Sequence, residues 1–342
     1  MSRPGLHDGP VYIAGLDRSG KTTMRGYLAS LERVAIPPVG SNMWTYFYRA
    51  YGDLASPENL DACLEAMMAY KHVRHLLPDE QRIRNDFAQG PPTYARLFSL
   101  FLRQYADREG KPRWGAQTGL AERFADDMFA AYPGLRMIHM VRDPRDRYHA
   151  SISKWPAGRG RAGGAIARWN YSTGLAERHV RRHPDGYLVV RFEDLVSDTE
   201  ATLRRVCAFI GESFDPSILG VRASESARGR SQGQEGVPSG EPVPALDTEY
   251  IGLHARGTVS EHELAYIELS ARRRMRRWGY TVPPEGRPVR SDPRFWLQTV
   301  PDQTLRRWSW RGTEAAHDLL PRLFPRTPGA RMIVGPDWTP NR

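Results

Sequence analysis

Apolar positions along the chain fall into two alternating rhythms. Val11–Ala14 is a continuous apolar run that stops at Gly15, and Thr22–Val34 then places apolar residues at helical spacing, which predicts strand, glycine loop and helix in succession. Helical spacing returns over Asp61–His72 and over Thr93–Arg108, where Leu97, Leu100, Phe101 and Tyr105 share one face. Ala121–Ala131 reads as helical and leads into a β-rich run, Arg136–Val141, that ends at Arg142-Asp143-Pro144, a strand end followed by a helix start. A third strand is predicted over Tyr187–Phe192, followed by a helix over Thr199–Ile210 that stops at Gly211. Ser260 is placed to cap a helix over Glu261–Trp278. Strands that alternate with helices predict an α/β fold, a parallel sheet with flanking helices, whose ligands bind beyond the carboxyl ends of the strands. Residues 223–244 are rich in Ser, Gly, Glu, Gln, Arg and Pro with almost no apolar anchor, and read as a mobile lid. The Pro-, Arg- and Trp-rich stretch 285–342 has no regular pattern.

Composition narrows the class. The 342 residues are 40% hydrophobic, enough for a substantial core, and one principal domain is the expectation. The formal net charge of +10 favours anionic partners without choosing among nucleotides, acidic substrates, nucleic acid or lipid headgroups. Two cysteines, Cys63 and Cys207, both in helical apolar patterns, read as core residues rather than a disulfide framework or a cysteine metal site. Met1–Pro10 lacks the apolar core of a signal peptide, and no run reaches the roughly 20 apolar residues that span a bilayer, so a soluble, cytoplasmic protein is predicted.

The loop after the first strand carries the chemistry. Gly15-Leu16-Asp17-Arg18-Ser19-Gly20-Lys21-Thr22 fits the phosphate-loop pattern G-x-x-x-x-G-K-[ST] in the strand–loop–helix context that pattern requires. Successive backbone N–H groups and the helix N-terminus hold a phosphate there, while Lys21 adds a cation and Thr22 a hydroxyl. This loop alone admits two enzyme classes, since Arg18-Ser19-Gly20-x-Thr22 also resembles the Arg-Ser-Gly-Thr-Thr loop that holds the 5′-phosphosulfate in sulfotransferases.

Three further segments carry the same resemblance. Met137–Tyr148, with Arg142-Asp143-Pro144-Arg145-Asp146, resembles the second sulfotransferase signature, in which a strand delivers an arginine to the 3′-phosphate of the donor. Tyr187–Leu195 with Cys207-Ala208-Phe209-Ile210-Gly211 resembles the family's Tyr-Glu-Asp-Leu strand and Phe-Leu-Gly helix end, with Phe192 replacing the tyrosine. Arg113–Gly119 resembles a Trp-Gly-x-Lys-Thr-Pro segment of bacterial and Golgi-type members, with Gln117 in the lysine's place. The resemblance spans about residues 10–280 and names the family of nucleotide-dependent sulfotransferases, which implies a P-loop NTPase-like architecture over 1–284 and an extension over 285–342.

The resemblance implies a donor, 3′-phosphoadenosine 5′-phosphosulfate (PAPS), whose spent form is 3′,5′-adenosine diphosphate. It assigns Arg18, Ser19, Gly20, Lys21, Thr22 and Thr23 to the 5′-phosphosulfate, Arg142 and Ser151 to the 3′-phosphate, and catalysis to Lys21. The family's serine usually falls eight residues after the arginine, where this chain has Ala150. The acceptor is expected to be a small molecule or carbohydrate hydroxyl, without nucleic-acid or membrane partners. No metal is predicted: neither a His-x-x-x-His nor a clustered acid pattern is read in the chain, an expectation corrected below, and sulfuryl transfer from this donor requires none. No base is assigned: Gly40-Ser41-Asn42 lacks the carboxylate one branch carries there, and Asp53, His72 and Glu122 stay open. Two other readings are a small-molecule kinase using Mg–ATP, with Asp143 or Asp194 on the metal, and a basic nucleic-acid-binding protein suggested by the charge.

Overall fold

The computed structural model describes residues 9–220, 248–320, 323–335 and 338–339. The segment read as a lid, 223–244, lies outside the described residues.

Five parallel strands form one sheet in the order β2-β3-β1-β4-β5: β1 Val11–Gly15, β2 Val34–Ala35, β3 Arg113–Gln117, β4 Arg136–Val141 and β5 Tyr187–Arg191. β1 is central. Its two side-chain faces feed different cores, as a period of two requires: Tyr12 and Ala14 pack with Trp114, Ala116 and Met137 on one side, and Val11 and Ile13 with Ile138, Met140 and Val190 on the other. The first face is covered by α6, Tyr94–Arg108, whose Leu97, Phe98 and Phe101 are buried there. The second is covered by α1, Lys21–Ala29, and α11, Thr199–Ile210. Between α1 and α6 lie α2, Met43–Tyr46, α3, Pro57–Ala69, α4, Lys71–Arg74, and α5, Glu80–Ala88. A third cluster gathers α8, Pro144–Lys154, α9, Ala162–Arg182, and a helix we call α12, Glu261–Arg277, around Tyr148, Trp169 and Phe295. The short helices α7, Ala125–Ala131, and α10, Phe192–Ser197, complete the frame.

Several boundaries differ from the sequence expectation, each for a tertiary reason. The helix expected over Thr22–Val34 ends at Ala29, because Val34 and Ala35 pair with Arg113 and Trp114 at the sheet edge. The strand expected to include Phe192 ends at Arg191, and Phe192 opens α10. The unplaced stretch after residue 285 contains a helix, α13, Val300–Leu319. It lies along α9, where the backbone of Gln303 approaches Gly163 so closely that a Cβ there would stand 1.9 Å from the Gln303 carbonyl oxygen. Both cysteines are buried, and burial pushes the Cys207 thiol up to about 11. No helix among the described residues is long and apolar enough to cross a membrane.

Candidate active site

The loop between β1 and α1 is built from local backbone chemistry. Gly15 and Gly20 sit at φ +108° and +90°, in the left-handed half of conformational space where glycine carries no steric penalty. Arg18 adopts φ +68° between them. The turn closes through Ser19 N–H donating to the Leu16 carbonyl at 3.3 Å. No side chain caps α1 and no acid occupies its first turn. The first-turn N–H groups of a helix lack intrahelical acceptors, so the donors of Lys21, Thr22 and Thr23 converge at a positive helix end that suits an anion.

Lys21 is 5% exposed. Its Nζ donates to the Gly15 carbonyl at 2.7 Å and to Asp17 Oδ1 at 3.1 Å, and that ammonium holds the Asp17 carboxyl below the usual range. Gly119 borders the same space: a Cβ there would lie 3.4 Å from Asp17 Oδ1 and 3.8 Å from Lys21 Nζ.

Arg142 leaves the carboxyl end of β4, the neighbour of β1, and reaches the loop directly. Its Nη1 donates to the Arg18 carbonyl at 3.1 Å and its Nη2 to the Tyr250 carbonyl at 2.7 Å, while its Nε is buried without a partner. Its guanidinium stacks 4.4 Å from the Phe192 ring centroid. That ring also packs on the loop, since a Cβ on Gly20 would fall 2.4 Å from Phe192 Cδ2. Phe192 thus wedges between the loop glycine and Arg142. Ser151 is partly exposed on α8, and Ala150 beside it is buried.

Asp143, Arg145 and Asp146 of the second signature hold the local frame. Asp143 caps α8 through the Arg145 N–H at 2.8 Å and takes Arg145 Nε and Nη2 at 3.0 and 2.7 Å. Arg145 also reaches Glu268 Oε1 at 3.0 Å, a buried carboxyl on α12. Asp146 accepts from the N–H groups of Gly252 and His254 at 2.7 and 2.9 Å, which draws the 250–256 segment over Arg142. On α12, the half-buried Arg274 and the exposed Arg277 pair with Glu177 of α9 at 3.3 and 3.0 Å.

The three base candidates separate sharply. Asp53 is exposed and caps its own turn through Ala55 N–H. His72 donates Nδ1–H to the Gly40 carbonyl at 2.7 Å. Glu122 is fully buried behind the loop, with Oε2 accepting the Gly15 N–H at 3.0 Å and Oε1 accepting the Ser172 hydroxyl. Ser172 in turn meets His139 Nε2 at 3.1 Å, and His139 Nδ1 meets the Tyr187 hydroxyl at 2.6 Å. This buried relay anchors the strand end that begins the phosphate loop. Sequence reading missed it, because Glu122, His139, Ser172 and Tyr187 are far apart along the chain and no spacing links them. A second missed signal was local: His179 of α9 and His183, the residue that ends it, form a His-x-x-x-His pair, which the fold brings to Asp126.

Residues 10–216, more than half of the chain, match the model of the Sulfotransferase family. The chain belongs to that family. Among curated relatives, Sulfotransferase 2A1 of Rattus norvegicus is 27% identical over 97 residues, and its Mus musculus counterpart 29%. Each match covers 25% of this chain and 34% of the relative, so the chain aligns with about a third of those proteins' length. The sulfotransferase domain of the Synechococcus PCC 7002 olefin synthase superposes with a TM-score of 0.58 at 19% identity, covering 83% of this chain and all of that domain. A sulfotransferase domain from the curacin biosynthetic pathway gives 0.52 at 17%, covering 80% and 99%. These likenesses establish a shared sulfotransferase fold.

Proposed function

We propose that this sulfotransferase moves a sulfuryl group from PAPS to a hydroxyl of a small-molecule or carbohydrate acceptor. The observation that carries the reading is the hydrogen bond from Arg142 to the Arg18 carbonyl, which sets a guanidinium against the loop that opens into the helix N-terminus at Lys21–Thr23, at the carboxyl ends of adjacent strands. That arrangement suits a nucleotide charged at both its 5′ and 3′ ends. In this reading Arg18, Ser19, Gly20, Lys21, Thr22 and Thr23 hold the 5′-phosphosulfate, and Arg142 and Ser151 the 3′-phosphate.

The chemistry is an in-line displacement at sulfur. A bond forms from the acceptor oxygen to sulfur, the bond from sulfur to the bridging oxygen breaks, the acceptor gives up its proton, and 3′,5′-adenosine diphosphate leaves. Lys21 and the loop N–H groups stabilise the charge that grows on the leaving oxygen, the kind of contact whose removal costs about 10²–10³ in rate. Glu122 acts at one remove, by fixing Gly15. The kinase reading loses support from Asp143, whose carboxyl is engaged by Arg145 and the α8 cap and is not open to a magnesium ion.

Thermal shift and calorimetry on the purified chain test this. 3′,5′-Adenosine diphosphate is expected to raise the unfolding temperature and to bind more tightly than 5′-ADP, because only the former engages Arg142. Stabilisation by Mg–ATP or by an oligonucleotide in its place would move the assignment to a kinase or a nucleic-acid binder.

A further inference from the structure

His179 lies in the last turn of α9, and His183 is the residue that ends the helix, at φ −131° and ψ 59°. Both rings meet Asp126 of α7: Nδ1 of His179 lies 3.6 Å and Nε2 of His183 3.0 Å from Asp126 Oδ1. One ligand atom from each of the three residues lies within 4.8 Å of the others. Donors about 2.0–2.2 Å from a tetrahedral zinc ion stand roughly 3.3–3.6 Å apart, so movement of the partly exposed Asp126 and His183 side chains closes the set around one ion.

The decisive detail is a tautomer. Nε2 of His179 lies 2.9 Å from the backbone carbonyl of Glu122, which only accepts, so the proton sits on Nε2 and the Nδ1 lone pair faces Asp126. That Nδ1 is buried and has no hydrogen-bond partner. An ion-pair network alone leaves this lone pair orphaned, whereas a cation fills it. Imidazole held through its other nitrogen by a backbone carbonyl is the outer-shell arrangement of metal-bound histidine. The second oxygen of Asp126 faces Arg182 Nη1 at 3.3 Å and Arg178 Nη2 at 3.8 Å, which orients Oδ1 toward the two rings.

We propose that Asp126, His179 and His183 form a binding site for a zinc-class divalent cation, with three protein ligands and a solvent-facing fourth position, bracing α7 against α9. The site lies apart from the phosphate loop and stands whatever nucleotide that loop holds. It connects to the loop through Glu122, whose carbonyl receives His179 and whose carboxyl holds Gly15.

The test uses the full chain freed of any affinity tag, stripped with chelator and titrated with zinc chloride in calorimetry, with cobalt absorption as a second readout. One equivalent is expected to bind and to raise the unfolding temperature. Asp126→Asn and His183→Ala change partly exposed groups, and each is expected to weaken zinc binding by more than the roughly 10–100-fold that losing an outer-shell partner alone brings. His179 is buried, so the two accessible ligands carry the test. Absence of saturable binding, or affinity unchanged in both variants, overturns the site.

Discussion

Lys21 spans both halves of the candidate active site, since its ammonium is held inside the loop by Gly15 and Asp17 while its backbone N–H opens α1. A side chain that acts on growing charge contributes more to rate than to ground-state affinity. Lys21→Ala is therefore expected to keep its affinity for 3′,5′-adenosine diphosphate within about tenfold while kcat falls by roughly 10²–10³. Equal losses in calorimetry and in steady-state turnover would remove Lys21 from catalysis. Arg142 and Ser151 answer a different question. Arg142 already satisfies two carbonyls yet keeps a buried, unpartnered Nε, whereas Ser151 sits one residue beyond the family's usual serine, a rotation of about 100° on a helix. Arg142→Ala should weaken 3′,5′-adenosine diphosphate at least as much as Ser151→Ala, for which roughly tenfold is expected from one hydroxyl bond to a charged phosphate. Unchanged affinity in Ser151→Ala beside an impaired Arg142→Ala would redraw the correspondence with the family from residue 145 onward.

At the scale of elements, the phosphate loop is held from behind and from the side. Glu122 grips the N–H of Gly15 where β1 ends, and Phe192 fills the space against Gly20 where α1 begins. Gly20 is thus constrained twice, by φ +90° and by an aromatic edge that a Cβ would strike. Gly20→Ala is expected to lower stability and nucleotide affinity together, measured as a drop in the urea midpoint and in the calorimetric affinity. Gly110→Ala is the control, because Gly110 shares the left-handed conformation, at φ +67°, but has open space around it. Its cost should stay near the roughly 1 kcal/mol of backbone strain alone. Pairing Gly20→Ala with Phe192→Ala should recover part of the loss, since neighbours that clash are non-additive. Equal stability for the two single glycine variants would show that Phe192 does not confine the loop.

For the molecule as a whole, the buried histidines set a pH dependence. His139 is fully enclosed, and burial holds its imidazole below the ordinary value. His149 is shifted the same way, again chiefly by burial. The unfolded chain takes up protons on these rings below about pH 6.5, where the folded chain resists them, so stability should fall as the pH drops from 7 toward 5. A urea midpoint that stays level across that interval would mean that these rings protonate in place without opposing the fold.

The α/β class, the glycine loop, the helix Thr199–Ile210 and the strand Arg136–Val141 were legible from residues 11–211, because each depends on local periodicity and on turn chemistry that glycine and proline announce. The turn from Gly15 into the helix that Lys21 opens was legible for the same reason, because it is made of contiguous backbone. Strands β2 and β3 were not, since short runs such as Val34–Ala35 become strands only by pairing, and α13 was hidden by an irregular composition that packing on α9 overrides. The relay Glu122–Ser172–His139–Tyr187 and the Asp126–His179–His183 cluster join residues from separate elements, so only the tertiary fold decided them. A buried polar group must find a partner wherever the chain brings one, and which partner that is depends on how helices dock on the sheet, information that no local stretch of sequence contains.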